Sequence, residues 1–215
     1  MKKTRILFFG DSITDMQSDK SPNSLKVFSL GMGYTFLVAS AFSRIDPNKY
    51  EIINCGISGN TSVDLYARLK KDVWNLKPDV LSILVGVNDV WHRLEDDSGV
   101  DLDRFEKVYS MIIKETLKVL PDLKIMLMEP FVLKGSETVK NYDEFLTVKD
   151  YAKVVRSIAE KNNLYFVPLQ ETFDEYSAKY GAAAYLADGV HPEVAGATLI
   201  ADEWMKTFHD KVETK

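Results

Sequence analysis

Five short apolar runs, each giving way to a polar turn and then to a helix-length segment, constrain this chain more than any other feature. Residues 4–9, 50–54, 79–85, 123–128 and 164–167 read as strands. Residues 34–44, 61–73, 103–120, 142–162, 170–179 and 192–209 read as helices, the last opening on Pro192, which a first helical turn tolerates. Their apolar side chains recur at helical spacing, as in Phe36, Leu37, Ala41, Phe42 and Ile45, or Phe105, Val108, Ile112, Ile113 and Leu117. The strand runs are nearly unbroken rather than alternating, which marks strands covered on both faces. Strands that take turns with helices need crossover connections, and these run right-handed. The expectation is an α/β fold: a three-layer α/β/α sandwich around a flavodoxin-like five-stranded parallel sheet of order 2-1-3-4-5. No repeat, low-complexity tract or Pro/Gly/Ser linker divides the 215 residues, so residues 1–215 read as one domain.

In such sheets ligands bind at the carboxyl ends of the strands, beside the switch in strand order. The first run, Ile6-Leu7-Phe8-Phe9, breaks there into Gly10-Asp11-Ser12, which presents a serine at the sheet mouth. A net charge of −5 argues against a nucleic-acid partner, which calls for a basic patch. Cys55 is the sole cysteine, so no internal disulfide can form. No segment approaches the length of a membrane span, and the apolar run after Lys2-Lys3 is too short for a signal-peptide core. The expected location is the cytoplasm, a removed leader being the alternative. Neither a Gly-x-Gly-x-x-Gly strand turn nor a phosphate loop is present, and one cysteine with three scattered histidines makes no zinc site. No cofactor and no metal are implied.

If Ser12 is a nucleophile it needs a base, a group to orient that base, and donors for an oxyanion. His191 lies in Asp188-Gly189-Val190-His191-Pro192. An aspartate three residues before a histidine on one loop can take the imidazole Nδ1–H and leave Nε2 free to accept a proton from serine. Taken alone, the same residues make an Asp-Gly turn before a helix. His92 follows Trp91 in a polar loop, and His209 lies near the end of the last helix. Candidate oxyanion donors follow strands two and three: the Gly59 backbone N–H and the Asn88 side chain, alongside the Ser12 N–H. Each piece has a plain structural reading as a turn or a helix cap. Their arrival at one predicted sheet edge does not, because core packing asks for no such coincidence.

Gly10-Asp11-Ser12, Gly59, Gly86-x-Asn88-Asp89 and Asp188-x-x-His191-Pro192 resemble, in order and spacing, the four blocks of the SGNH (GDSL) hydrolases. The resemblance implies Ser12 as nucleophile, His191 as base, Asp188 as acid, and Ser12, Gly59 and Asn88 as the oxyanion hole. Ile13 stands where leucine is common. Thr14 stands where the α/β-hydrolase elbow Gly-x-Ser-x-Gly would place its second glycine.

A finer resemblance, carried by residues 56–61, by 86–91 and by Pro130-Phe131, is to the bacterial acetyl-xylooligosaccharide esterases of that family. It implies an ester hydrolase acting on a small ester, an acetylated sugar, with Trp91 at the mouth of the site. Ala187 departs from that group, where a tryptophan commonly precedes the catalytic aspartate. Asp11, Trp91 and Phe131 are the candidate substrate contacts, Asp11 also bracing the serine turn. A lysophospholipase or thioesterase of the same family is the second expectation. A carbohydrate-binding protein without catalysis is a third, and it would leave Ser12, Asp188 and His191 unexplained. The segment 15–32, with Leu25, Val27, Phe28 and Leu30, reads as a polar loop that could serve as a lid or an interface. The sequence leaves the oligomeric state open, a homo-oligomer included.

Overall fold

Ile6, Leu7, Phe8 and Phe9 are wholly buried, and the chain is built outward from that strand. The computed structural model describes residues 3–213. Strand β1 (Thr4–Gly10) is followed by the one-turn helix α1 (Ser12–Asp15) and, after a long loop, α2 (Tyr34–Ile45). Next come β2 (Tyr50–Gly56), α3 (Ser62–Leu69), β3 (Val80–Leu84), α4 (Val87–Glu95) and α5 (Leu102–Val119). Strand β4 (Lys124–Met128), α6 (Tyr142–Phe145), α7 (Val148–Lys161), β5 (Tyr165–Val167), α8 (Gln170–Tyr180) and α9 (Val194–Thr207) complete the order. All pairings are parallel and the sheet order is β2-β1-β3-β4-β5, as expected. Helix α2 packs on α9, while α3, α5 and α7 pack in succession, which gives one helical layer on each side of the sheet. Gly10 pairs with both Gly56 and Leu84, so the adjacent strands β2, β1 and β3 end level.

Four local expectations need correction. Residues 87–95 form helix α4, so Trp91 and His92 sit on a helix and not in a polar loop. Its first four residues are all buried, which hides the amphipathic stripe, and its N-cap is Gly86, which supplies no side-chain cap. Helix α9 starts at Val194, after Pro192. Glu193 is the extended N-cap, and its N–H donates to the Tyr185 carbonyl at 2.8 Å, which keeps His191 and Pro192 outside the helix. The segment 142–162 is two helices, α6 and α7, in place of one. The segment 61–73 ends as an α-helix at Leu69 and continues in a wider π-turn, Lys70–Trp74.

The loop 15–32 is fastened to the sheet. Asn54 at the end of β2 donates through Nδ2 to the carbonyls of Thr14 at 2.7 Å and Leu30 at 2.8 Å. Lys20 reaches the Asn54 carbonyl at 3.1 Å. Leu25, Phe28 and Met32 remain exposed on its outer side. Among the described residues no helix is long and apolar enough to cross a membrane.

On the α2/α9 face Trp204 fills the core against Phe8, with ring centroids 5.0 Å apart, and stacks on Phe208. Its indole N–H donates to the buried Ser82 hydroxyl of β3 at 2.9 Å. Trp204→Phe leaves that hydroxyl without its donor and opens a gap beside it. The substitution is expected to lower the unfolding free energy by about 2–4 kcal/mol, measured by urea denaturation.

Candidate active site

The serine turn is made by Asp11. Its side chain caps α1 by accepting the Ile13 N–H at 3.0 Å, and its carbonyl accepts those of Thr14 and Asp15. Of the first four N–H groups of this helix, that of Ser12 is the one that Asp11 does not take. Gly10 is required by close approach: a Cβ there would lie 2.4 Å from the Leu84 carbonyl oxygen and from Thr14 Oγ1.

Ser12 Oγ lies 2.8 Å from His191 Nε2, and His191 Nδ1 lies 2.6 Å from Asp188 Oδ2. An ionised carboxylate only accepts, so Nδ1 carries the hydrogen and Nε2 is left to accept the serine O–H. The other oxygen of Asp188 accepts the backbone N–H groups of Val190 at 2.8 Å and His191 at 2.7 Å. Partial burial works against the Asp188 charge, yet the hydrogen bonds from the His191 ring and the two N–H groups outweigh it and hold the carboxyl below its usual range. Asp188 in turn raises the His191 imidazole above its ordinary value, against the opposing pull of burial.

The Asp188–His191 loop rests on a cradle that sequence reasoning missed. Leu133, Ser136 and Glu137, beyond β4, donate backbone N–H groups to the carbonyls of Gly189, Ala187 and Asp188 at 2.9, 3.0 and 3.1 Å. Backbone donors carry no side-chain signature. Asp89 was also missed as a working residue, although it stands in the Gly86-x-Asn88-Asp89 block. It is buried and accepts Ser62 Oγ at 2.6 Å and Ser62 N at 3.1 Å, tying the start of α4 to the start of α3. Burial pushes its carboxyl up to about 6 against those bonds.

Gly59 sits in the loop that follows β2, and Asn88 in the helix that follows β3, at the level strand edge. Gly59 is exposed, with φ at +80°, a left-handed conformation that glycine adopts without strain, and open space in front of its α-carbon. Asn88 is buried in the first turn of α4 and donates through Nδ2 to the Asn60 carbonyl at 3.0 Å. That bond uses one of its two amide hydrogens. The position of Asn88 also brings the positive end of the α4 dipole to this edge.

Of the candidate substrate contacts, Trp91 is half-buried, its ring centroid 6.0 Å from that of His191 and braced edge-on by Phe145. Asp11 and Phe131 are corrections, because both are fully buried and cannot touch a substrate. Phe131 packs against Phe173 in a tilted pair with centroids 4.4 Å apart, and Gln170 of α8 holds the adjacent Val132 backbone at both its N–H and its carbonyl. Burial pushes the Asp11 carboxyl up to about 7, with the Ile13 N–H and nearby His191 acting the other way. His92 lies one helical turn beyond Asn88 on α4, and His209 pairs with Glu213 at 2.8 Å. Among the described residues no group of three or more His, Cys, Asp or Glu side chains could hold a metal ion.

Asp188→Asn removes the largest influence that raises His191 and leaves burial opposed only by the weaker pull of Asp11. The imidazole midpoint is expected to fall to or below its ordinary value of about 6.5, read by NMR titration of the ring.

Comparison with known proteins identifies the family. The GDSL-like lipase/acylhydrolase family matches residues 8–199. The chain is 35% identical over 207 residues to an acetylxylan esterase of Geobacillus stearothermophilus, covering 94% of this chain and 92% of that one. The crystal structure of an acetylxylan esterase from that organism superposes with a TM-score of 0.84 at 36% identity, covering 95% of this chain and 93% of the other. A protein of Parabacteroides merdae described as a GDSL-like lipase superposes with a TM-score of 0.89 at 36% identity, covering 98% of both chains. The chain therefore belongs to the GDSL-like lipase/acylhydrolase family and is a carboxylic ester hydrolase of it.

Proposed function

We propose that this protein is a serine esterase that removes short acyl groups, acetyl above all, from a carbohydrate or similar small ester, residues 1–215 serving as one catalytic domain. The observation that carries the reading is the unbroken relay from Ser12 Oγ through the His191 ring to Asp188, with contacts of 2.8 and 2.6 Å. In this reading His191 Nε2 takes the proton of Ser12 as Oγ attacks the ester carbonyl. The Ser12 and Gly59 N–H groups and the free Asn88 amide hydrogen receive the oxyanion. His191 then returns the proton to the leaving alcohol, and water, activated by the same imidazole, releases the acid from the acyl-serine. Asp188 keeps the ring in the required tautomer and balances the imidazolium. Each oxyanion donor accounts for roughly 3 kcal/mol of transition-state stabilisation.

The acetyl-carbohydrate preference draws support from the Geobacillus enzyme, described as an acetylxylan and acetyl-xylooligosaccharide esterase. That enzyme has been solved as catalytic mutants at a serine, an aspartate and a histidine, the last two three positions apart, as Asp188 and His191 are here. Trp91 offers an apolar ring face beside His191 that suits a sugar or a small acyl wall. The substrate is a soluble small molecule, and no cofactor takes part in the steps above.

Acetate release from a panel of acetylated xylo-oligosaccharides, and 4-nitrophenyl acetate against octanoate, test the reading. Ser12→Ala is expected to lower kcat by at least about 10³-fold. Undiminished turnover in that variant overturns the esterase reading, and a preference for octanoate overturns the acetyl assignment in favour of a lysophospholipase or thioesterase. Because Asp188 raises His191, kcat/KM is expected to fall with decreasing pH through a midpoint above the ordinary histidine value of about 6.5. A profile flat from pH 5 to 8 removes His191 from the role of base.

A further inference from the structure

We infer that Arg68 is a positioning residue that sets the oxyanion donors, an inference that rests on the esterase reading. Arg68 lies in the last turn of α3 with its side chain 13% exposed. Its Nε donates to Asn60 Oδ1 at 2.7 Å, its Nη1 to the Cys55 carbonyl at 2.8 Å, and its Nη2 to the Gly10 carbonyl at 2.9 Å. Nη1 also meets Asp72 Oδ2 at 2.9 Å, and the guanidinium lies 4.2 Å from the Phe9 ring centroid. One planar cation thus touches the ends of β1 and β2 and the loop that follows β2.

The three contacts converge on the donors. Gly10 comes two residues before Ser12. Asn60 follows Gly59, and the Asn60 carbonyl takes the amide hydrogen that orients Asn88. Ser12 N, Gly59 N and Asn88 Nδ2 are therefore each a link or two from the same guanidinium. The loop needs such a clamp, since Ile57, Ser58 and Gly59 are exposed and Gly59 has no side chain to pack. Its other ties are Ile57 N–H to the Gly10 carbonyl at 3.0 Å, Ser58 Oγ to Asp15 at 2.8 Å, Asn60 N–H to the Ile57 carbonyl at 3.2 Å and the Asn88 amide on the Asn60 carbonyl. Of the bonds on Asn60, the one from Arg68 alone takes its side chain and ties it to the ends of β1 and β2. Lysine cannot replace this arrangement, because an ammonium is a point charge and the three acceptors lie around a rigid fork. Misplacing a reacting group by about 1 Å can lower a rate 10²-fold.

The test uses the full chain and 4-nitrophenyl acetate. Ser12→Ala is measured first. Arg68→Lys, Asn60→Ala and the double variant follow, each with kcat, KM, a pH profile, thermal stability and the affinity for a trifluoromethyl ketone, which forms an oxyanion adduct with an active serine. Arg68→Lys and Asn60→Ala are each expected to lower kcat by about 10–100-fold with KM within about threefold. Inhibitor affinity should weaken in step with kcat/KM, the His191 midpoint should not move, and the double variant should be little worse than the worse single one. A kcat and inhibitor affinity equal to wild type in folded Arg68→Lys and Asn60→Ala, with only stability reduced, overturns the inference and leaves Arg68 a brace of the fold. If Arg68→Lys does not fold, Asn60→Ala, which keeps the arginine on both strand ends, decides by the same criteria. Full turnover in Ser12→Ala overturns the esterase reading and the inference with it. Turnover lost in Ser12→Ala but intact in the other variants overturns the inference alone.

Discussion

The site depends on the register of three parallel strands. Gly10, Gly56 and Leu84 end level, so the loops that leave β1, β2 and β3 start from one line. That register is held by burial. Ile6 to Phe9, Leu81 and Ile83 are completely covered, and a slip of one residue would send every one of those side chains to the opposite face. With the strand ends locked, each loop has only a short path to control. A helix cap turns Ser12 outward, a left-handed glycine exposes an N–H, and a first helical turn presents Asn88. The Asp188–His191 loop comes from far along the chain and is brought to the same edge by the backbone cradle at residues 133–137.

Much of this was legible in the sequence because the signals are local or periodic. Unbroken apolar runs report strands buried on both faces, and five of them separated by helices leave few topologies. Asp188 and His191 could be paired on paper because three residues of one loop span the distance. What escaped was decided by tertiary packing. Helix α4 shows no stripe at its start because Val87 to Val90 are all buried, polar and apolar alike, with Asp89 tied to Ser62 of α3. Phe131 after a strand end reads the same whether its ring faces solvent or, as here, Phe173. The cradle under Asp188 is made of peptide groups, which every sequence contains everywhere.

Beneath the site lie two carboxyls that a stable core would avoid. Asp11 and Asp89 are buried, burial pushes both upward in pKa, and Asp11 Oδ2 has no hydrogen-bond partner among the described residues. Each is placed at a helix start, where it accepts backbone N–H groups, and the desolvation it suffers is offset only in part by those bonds. Departures from local rules of this kind collect where a chain must hold a shape that packing alone would not choose. Here they fix the turn that carries Ser12 and the junction of α3 with α4.

Asn54 joins the Thr14 carbonyl, the Leu30 carbonyl and the Thr35 hydroxyl with a single amide, and its Oδ1 accepts the Gly56 N–H. The two ends of the loop 15–32 are thereby sewn to the strand that carries the oxyanion loop. Lifting that loop would break buried hydrogen bonds at the serine turn itself, so it behaves as a fixed wall rather than a gate. The border of the serine turn is thus held by the same side chain that steadies the end of β2, and anything that loosens one loosens the other.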